Sequence, residues 1–188
     1  MRIIAGKARN LELNVPEGMG VRPTSGRGRK ALLDSLGPLD EAAVLDLFAG
    51  SGAFALECAS RGAGEVTMVE QCTAHLAVIR ENCRKVQKTG VECRLDTLQG
   101  DALNVSLYAH VPADLIFADP PYAESGIFFK KLTSNPAFQS AFEGALLVWE
   151  IPDTPGARGH FIDPQGVEDH SLRNLGGVWF FVGTVKKS

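Results

Sequence analysis

The chain has 188 residues, of which 45% are hydrophobic and 22% charged, and its formal net charge is −3. This length predicts about one domain with a single full core, and the composition is ordinary for a globular protein. No apolar run approaches the roughly 18 residues that a membrane-spanning helix needs, and the first segment, MRIIAGKARN, lacks the apolar stretch and cleavage site of a signal peptide. We therefore expect a cytoplasmic, monomeric protein with no membrane association.

The basic residues are concentrated at the start of the chain. The first 30 residues carry seven basic and two acidic side chains, a net charge of +5, so that the remaining residues carry −8. A basic segment on an acidic body indicates an anionic partner, most commonly a phosphate backbone, although a solvated tail would have the same composition.

Two elements are predicted within this basic segment. Loose alternation of apolar residues over residues 2–15 predicts a β-hairpin. A helix is then predicted from an N-cap at Thr24 or Ser25 to Leu36. We interpret residues 1–38 as a basic N-terminal arm.

From residue 44 onwards, apolar runs alternate with longer segments of helical periodicity. Strands are predicted at 44–48, 66–70, 92–98, 114–119 and 145–151, and helices at 53–61, 73–89, 102–109 and 126–143. This alternation is typical of a parallel sheet with helices on both faces. The end of the chain, from Val178 to Val185, is apolar on both sides and predicts a strand that returns antiparallel to close the sheet. We therefore predict one α/β domain over residues 39–188.

The cysteines and histidines give no indication of a metal site. The four cysteines, Cys58, Cys72, Cys83 and Cys93, are spaced 14, 11 and 10 residues apart, without a C-x-x-C pair or a histidine at ligand spacing. Each lies in or beside an apolar segment, which favours buried, reduced thiols over disulfides. We expect neither a metal ion nor a histidine-based catalytic centre.

The sequence VLDLFAGSG at residues 44–52 predicts a buried strand that leads into a glycine turn. In a doubly wound sheet, ligands bind outside the carboxyl ends of the strands, at the point where the strand order reverses. Gly50 and Gly52 allow the backbone to approach such a ligand closely. Glu70 ends the next strand, where a carboxylate accepts hydrogen bonds from ribose hydroxyls, and Asp101 ends the third, where it accepts one from an adenine amine.

Two cofactors compete for this pattern, because GSGAFA also fits the dinucleotide fingerprint G-x-G-x-x-A. Asp46 discriminates between them, since a carboxylate just before the turn would repel a pyrophosphate but pair with the ammonium of an amino acid. The start of the following helix suits a methionine carboxylate equally well. We therefore favour S-adenosylmethionine. The predicted cofactor-binding residues are Asp46, Phe48, Gly50, Ser51, Gly52, Glu70, Gln71, Asp101 and Ala102.

A second motif, Asp119-Pro120-Pro121-Tyr122, follows the apolar run LIFA. Two consecutive prolines cannot continue a sheet ladder, so the backbone leaves the sheet with its carbonyls unpaired. A carboxylate, free carbonyls and an aromatic ring together can hold a planar amine. A proline-rich turn capped by an ordinary aspartate would have the same sequence, so these four residues alone do not decide.

Taken together, these motifs resemble a known family. The segments RIIAGKARNLELNVPEG, VRPTSGRGRKALLDSLG, VLDLFAGSGAFALECASRGA, VTMVEQ and LIFADPPY are similar in order and spacing to the class I S-adenosylmethionine-dependent methyltransferases, and more closely to the bacterial 16S ribosomal RNA guanine-N2 methyltransferase family. The resemblance implies a Rossmann-like, mostly parallel seven-stranded sheet. It also implies methyl transfer to a guanine N2 amine of 16S ribosomal RNA or the small ribosomal subunit, with Asp119, Pro120 and Tyr122 as catalytic residues.

The resemblance assigns RNA recognition to the arm, because a separate reading domain does not fit in a chain of this length. The candidate phosphate contacts are Arg2, Lys7, Arg9, Arg22, Arg27 and Arg29. The chain departs from the family at Gly26, Gly28 and Lys30, where an acidic residue, a valine and a glutamate are typical. Each glycine weakens the predicted helix start by about 0.5–1 kcal/mol relative to alanine.

Other functions stay open at this point. A DNA or other RNA amino-methyltransferase would share every cofactor residue, although a DNA enzyme usually has a larger reading domain. A nicotinamide oxidoreductase would need a hydride acceptor site, which no motif supplies. A non-catalytic relative would bind RNA without transferring a methyl group.

Overall fold

The computed structural model describes residues 1–17 and 26–187 and contains one sheet of seven strands. The strands are β1 Ala43–Asp46, β2 Glu65–Glu70, β3 Arg94–Gln99, β4 Leu115–Ala118, β5 Leu146–Ile151, β6 Val167–Leu175 and β7 Val178–Val185. The helices are α1 Gly26–Leu36, α2 Ala53–Ser60, α3 Thr73–Gln87, α4 Ser125–Thr133 and α5 Pro136–Ala141, with short 3-10 turns at Val105–Leu107 and Ala157–Phe161. The fold class is the predicted α/β class.

The strand order is β3-β2-β1-β4-β5-β7-β6, and β7 is antiparallel to both of its neighbours. The first five strands are parallel. The chain therefore winds outward from β1 in one direction and from β4 in the other, which confirms the predicted arrangement with a returning strand. In such a sheet the crevice for a ligand lies where the order reverses, beyond the carboxyl ends of β1 and β4.

Alternate residues of the central strands contribute to hydrophobic clusters on opposite faces of the sheet. Val44 and Phe117 pack with α2 and α3 on one face, whereas Leu45 and Ile116 pack with the aromatic residues of α4 and α5 on the other. Both faces are covered, so β4 is buried throughout and β1 is buried at all residues but its first, as a parallel sheet requires. Among the described residues, no helix is both long enough and apolar enough to cross a membrane.

The basic segment at residues 1–17 packs on α2. Ile3 and Leu13 are buried in the core, and two buried side chains of α2 hold the backbone beside them. Glu57 accepts the N–H groups of Ile4 and Ala5 at 2.8 and 2.9 Å, and Ser60 Oγ accepts that of Ala8 at 2.9 Å. The start of the chain is therefore part of the folded core and not a solvated tail.

Several predicted elements differ from the structure. The predicted hairpin consists of a single antiparallel bridge between Arg2 and Glu12 in the described residues. The predicted helix at 102–109 is wrong, because only a short 3-10 turn forms there, and the Tyr108 hydroxyl donates to the Ala102 carbonyl at 2.5 Å. The prediction also missed β6, an edge strand in which most residues are exposed.

The predicted helix at 126–143 is two helices. The first ends at Thr133, with Ser134 as its C-cap, and Asn135 caps the start of the second, since its side chain accepts the N–H of Ala137 at 2.9 Å. Pro136 occupies the first position of α5, where its missing N–H costs no hydrogen bond. The N-cap predicted at Thr24 or Ser25 lies outside the described residues, and α1 itself begins at Gly26 despite the glycines.

The four cysteines are free, as predicted, but they do not share one environment. Cys58, Cys83 and Cys93 are buried, whereas Cys72 is exposed. The prediction of a buried thiol is wrong for Cys72 because this residue lies in the turn beyond β2, at the open end of the sheet.

Candidate functional site

A cavity of about 820 Å³ lies at the carboxyl ends of the parallel strands. Most of its lining residues lie at or beyond the ends of β1, β2, β3 and β4, and Met1, Arg29 and Phe128 are added from other parts of the chain. The predicted site residues that line it are Asp46, Phe48, Gly50, Ser51, Glu70, Gln71, Asp101, Ala102, Asp119, Pro120 and Tyr122. The topology thus brings both sequence motifs to one crevice, and their individual roles stay predictions.

Gly52 was predicted to approach the ligand but is not part of the cavity wall. It adopts a left-handed conformation, with φ of 76°, immediately before α2. A Cβ at this position would lie 3.2 Å from Met68 Sδ on β2. Gly52 is therefore needed for the turn and for close packing of α2 on the sheet. Gly50, with φ of 55°, does line the cavity.

Asp46 ends β1 and is 1% exposed. Its carboxylate accepts hydrogen bonds from the N–H groups of Phe48 and Ala55, but its Oδ1 atom has no partner among the described residues. Burial raises the pKa of this carboxyl to about 7, and the nearby Glu70 adds to the shift. A buried acceptor without a donor is costly, so a cationic ligand in the cavity would stabilise the charged form.

Glu70 ends β2 and is anchored at both oxygens. Its Oε2 accepts the N–H of Gly50 at 2.8 Å, and its Oε1 accepts the N–H of Cys72 at 2.8 Å. His75 Nδ1 lies 3.4 Å from Oε1. A carboxylate has about four acceptor positions, so these two backbone bonds fix its orientation and leave capacity for ligand hydroxyls.

The corner formed by Asp119 to Tyr122 leaves the sheet after β4, as the prolines require. Asp119 is half-buried and Pro120 is buried. The Tyr122 hydroxyl donates to Glu150 Oε1 at 3.3 Å. This contact fixes the ring at the mouth of the cavity.

Aromatic side chains complete the wall beside this corner. Phe48 and Phe128 are stacked at 6.0 Å between ring centroids, with an interplanar angle of 5°. Trp149 meets Phe48 edge-on at 6.1 Å, and its indole N–H donates to Ser125 Oγ at 2.9 Å. The flat faces and the carboxylate of Asp119 therefore share one cavity, which suits a planar base with an amine.

Sequence reasoning missed two residues of this site. Glu150 is 3% exposed and was hidden inside the predicted strand LLVWEI, where a carboxylate in an otherwise apolar run was the available signal. Phe128 lies on α4, within the predicted helix, where its sequence position gives no signal beyond helical periodicity. Only the packing of α4 against the end of β1 brings it to the cavity.

The predicted RNA contacts separate into three groups. Arg2, Lys7, Arg9 and Arg27 are exposed, as a phosphate contact requires. Arg22 lies outside the described residues. The prediction for Arg29 needs correction, because this side chain is 2% exposed, lies 3.8 Å from Glu57 Oε2 and lines the cavity. Basic character in the sequence did not distinguish a buried arginine from exposed ones.

The strand order, the glycine turn after β1 and the acidic residue that ends β2 define a Rossmann-like protein with the class I methyltransferase fold. Comparison with known sequences also identifies the family of this chain. The chain belongs to the family described as Conserved hypothetical protein 95, which matches residues 1–177.

Relatives of this chain carry methyltransferase names. The ribosomal RNA small subunit methyltransferase D of Escherichia coli K12 is 33% identical over 123 residues, which are 65% of this chain and 60% of that protein. The putative rRNA methyltransferase YlbH of Bacillus subtilis is 28% identical over 163 residues, covering 83% of this chain and 88% of YlbH. The solved structure of the putative methyltransferase yhhF from Escherichia coli superposes with a TM-score of 0.74 at 28% identity, covering 100% of this chain and 99% of that one.

Proposed function

We propose that the protein transfers a methyl group from S-adenosylmethionine to the exocyclic N2 amine of a guanine in 16S ribosomal RNA. The observation that carries this proposal is the placement of Asp46 and the Asp119 to Tyr122 corner in one cavity. Asp46 suits the ammonium group of an amino acid, and the Asp119 to Tyr122 corner suits a planar amine. The names of the relatives support ribosomal RNA of the small subunit as the substrate.

The cavity residues fit S-adenosylmethionine. The Oδ1 atom of Asp46, which has no hydrogen-bond partner in the described part of the chain, is a buried acceptor for an ammonium group. Glu70, held by two backbone N–H groups, would accept hydrogen bonds from ribose hydroxyls, and Asp101, which lines the same cavity, would accept one from an adenine amine. A pyrophosphate would bring further negative charge beside Asp46 and Glu70, which disfavours a dinucleotide. When bound, S-adenosylmethionine supplies an electrophilic methyl group.

The residues of the Asp119 corner have to make an aromatic amine nucleophilic. The lone pair of guanine N2 is delocalised into the ring. Hydrogen bonds from its two N–H groups to the Asp119 carboxylate and the Pro120 carbonyl would return electron density to the nitrogen as the new N–C bond forms, and they strengthen in the transition state. Asp119 is placed to receive the proton that N2 loses during or after methyl transfer.

Aromatic surfaces hold the base in this arrangement. Tyr122 is fixed by its hydrogen bond to Glu150 and offers a ring face to the guanine, which has to be unpaired or flipped to enter. The stacked pair of Phe48 and Phe128 closes the apolar side of the cavity. These contacts orient the amine and exclude water, which is where a methyltransferase gains most of its rate.

RNA binding is assigned to the exposed basic residues of the first 38 positions. Arg2, Lys7, Arg9 and Arg27 present positive charge outside an otherwise acidic body. Phosphate contacts of this kind position an RNA without reading its sequence. The choice of guanine would then depend on the shape of the RNA around it.

The test supplies methyl-labelled S-adenosylmethionine with unmethylated small subunits, naked 16S RNA or DNA, followed by nucleoside analysis. We expect N2-methylguanosine in ribosomal RNA. Label on adenine or on DNA would show a different amino-methyltransferase, and no label with intact RNA binding would show a non-catalytic relative. Asp119→Ala should abolish the label while S-adenosylhomocysteine still binds, and substantial retained activity would contradict the role of Asp119.

A further inference from the structure

We propose that Arg29 binds the carboxylate of the cofactor's methionine moiety, opposite Asp46, which binds its ammonium. This inference rests on the proposed use of S-adenosylmethionine. It assigns a ligand contact to a residue whose basic character first indicated an RNA contact.

The position of Arg29 excludes a contact with an RNA backbone. Its side chain is 2% exposed and forms part of the wall of the cavity, together with Asp46 and Ser51. A phosphate of a polynucleotide cannot reach such a group without entering the cavity. A small ligand inside the cavity can.

The hydrogen bonds of Arg29 are incomplete. Its Nη2 donates to the Arg2 carbonyl at 2.8 Å. Its Nη1 donates to Met1 Sδ at 3.3 Å, and the Ser51 hydroxyl points to the same sulfur at 3.9 Å. A thioether is a weak acceptor, so two good donors at the cavity wall converge on a poor partner. A carboxylate at this place would accept from both donors.

The third donor of Arg29 is also unsatisfied. Its Nε has no hydrogen-bond partner within residues 1–17 and 26–187, because Glu57 Oε2 lies 3.8 Å away. Glu57 is already occupied by the N–H groups of Ile4 and Ala5 and by Arg61 Nε. Burial lowers the pKa of Arg29, with Glu57 only partly opposing the effect. A guanidinium in this state gains from a second anion.

Among the residues that the structure describes, the ion pairs around Arg29 leave one positive charge unbalanced. Glu57 is shared between Arg29 and Arg61, and Asp34 is shared between Arg61 and Lys30. Three cations therefore meet two carboxylates in this cluster, and its buried end faces the cavity. An α-amino acid carries an ammonium and a carboxylate on one carbon. Asp46 and Arg29 offer it one charge of each sign.

The experiment compares two ligands that differ only in the carboxylate, S-adenosylmethionine and decarboxylated S-adenosylmethionine, by calorimetry. For Arg29→Gln we expect a loss of about 10- to 100-fold in affinity for S-adenosylmethionine, from the loss of charged hydrogen bonds. Affinity for the decarboxylated ligand should stay within about threefold of wild type. Arg29→Lys retains the charge but not the fork of donors. Its affinity for S-adenosylmethionine should therefore lie between those of the wild-type protein and Arg29→Gln.

Two features keep the result interpretable. Glu57 retains three partners in Arg29→Gln, so we expect the variant to fold, and Arg29→Lys provides a second measurement that preserves the ion pair. Asp46→Asn is the matched control. Both ligands retain the amine, so this variant should bind both of them more weakly and by the same factor. An equal loss for both ligands in the Arg29 variants, or no loss for either, overturns the inference. Failure of the wild-type protein to bind either ligand overturns the proposed function itself.

Discussion

The side-chain amide of Asn82 donates a 3.0 Å hydrogen bond to the carbonyl oxygen of Ser51, which joins α3 to the glycine turn after β1. The same amide binds the backbone of Asn14 through two further bonds, of 2.8 and 2.9 Å. Asn82 is fully buried, so its three bonds have no competition from water. One side chain therefore connects the basic N-terminal segment to the turn that lines the cavity.

Replacement of Asn82 with alanine should loosen both connections at once. Asn14 and Ser51 would keep backbone groups without their side-chain partner, which we expect to lower the free energy of unfolding by about 1–3 kcal/mol. Affinity for S-adenosylhomocysteine should also fall, because Ser51 lines the cavity. Chemical denaturation and calorimetry measure the two effects. Gln87→Ala, at an exposed position of the same helix, should change neither, and a loss of stability without any loss of affinity would contradict the link to the turn.

At Gly6 the backbone of the N-terminal segment lies directly against the end of α2. Its φ is 77°, and a Cβ built there would lie 1.8 Å from the Ser60 carbonyl oxygen. Gly6→Ala should therefore add a steric clash to the cost of a left-handed alanine, and we expect about 2–5 kcal/mol of destabilisation in denaturant melts. Gly37→Ala is the control, because Gly37 has φ of 83° but a Cβ built there would have no atom of the described residues within 4 Å. It should cost only about 1–2 kcal/mol, and equal losses for the two variants would show that the clash is relieved.

Hydrophobic periodicity and sequence motifs were sufficient to predict six of the seven strands and most of the residues that line the cavity. The runs that end in Asp46, Glu70 and Asp119 are short, apolar and followed by turn residues, and these features depend on the local sequence alone. Parallel strands then place all three carboxylates at one edge. The break at Pro136 was also visible in the sequence, as an Asn-Pro pair inside a helical pattern.

Burial of polar residues could not be predicted in the same way. Glu57 and Asn82 occupy positions on α2 and α3 where a charged or amide side chain is normally exposed, and only their contacts with residues 4, 5 and 14 explain why they are buried. Arg29 has the same chemistry as the exposed Arg27 two positions earlier. These assignments depend on how the N-terminal segment packs, which no local pattern records.

Asp46 should make cofactor binding depend on pH. Its pKa is about 7 in the folded protein, against an ordinary value of 3.8. An ammonium ligand pairs with the ionised carboxylate and itself stays protonated below about pH 7.7. Affinity for S-adenosylhomocysteine should therefore fall by up to about tenfold per pH unit as the pH drops below about 7, and level off between about pH 7 and about pH 7.7. Calorimetry at several pH values measures this dependence.

The isosteric variant Asp46→Asn serves as the control for the pH dependence. It should bind S-adenosylhomocysteine more weakly, and its affinity should lack the pH dependence that the Asp46 carboxyl causes in the wild-type protein. The ligand-free protein should show the opposite trend in stability. A raised pKa means that the folded state holds the proton more tightly, so the contribution of Asp46 to stability declines as the pH rises from about 4 to about 7. A wild-type affinity that does not change across pH 7 would contradict the pairing of Asp46 with an ammonium.

The contact between Tyr122 and Glu150 should orient the aromatic ring. Tyr122→Phe retains the ring face but loses the 3.3 Å hydrogen bond. We expect kcat/KM for RNA to fall by about threefold to tenfold, which corresponds to one modest hydrogen bond, with no change in cofactor affinity. The same substitution in a Glu150→Leu background should have a smaller effect, since leucine already removes the acceptor of this hydrogen bond. Strictly additive losses in this double-mutant cycle would show that Glu150 does not act through Tyr122.

The exposed basic residues should determine how salt affects RNA binding. Each phosphate contact releases counterions, so removing one should reduce the slope of log K against log salt concentration by about one. We expect this for Lys7→Ala, Arg9→Ala and Arg27→Ala, and for Arg2→Ala despite its exposed ion pair with Glu12 at 2.9 Å. Filter binding at several salt concentrations gives the slopes, and S-adenosylhomocysteine affinity should not change. Lys187→Ala removes an equally exposed charge at the far end of the chain and should leave the slope as it is. If the four variants have the same salt slope as Lys187→Ala, the N-terminal segment is not the RNA-binding surface.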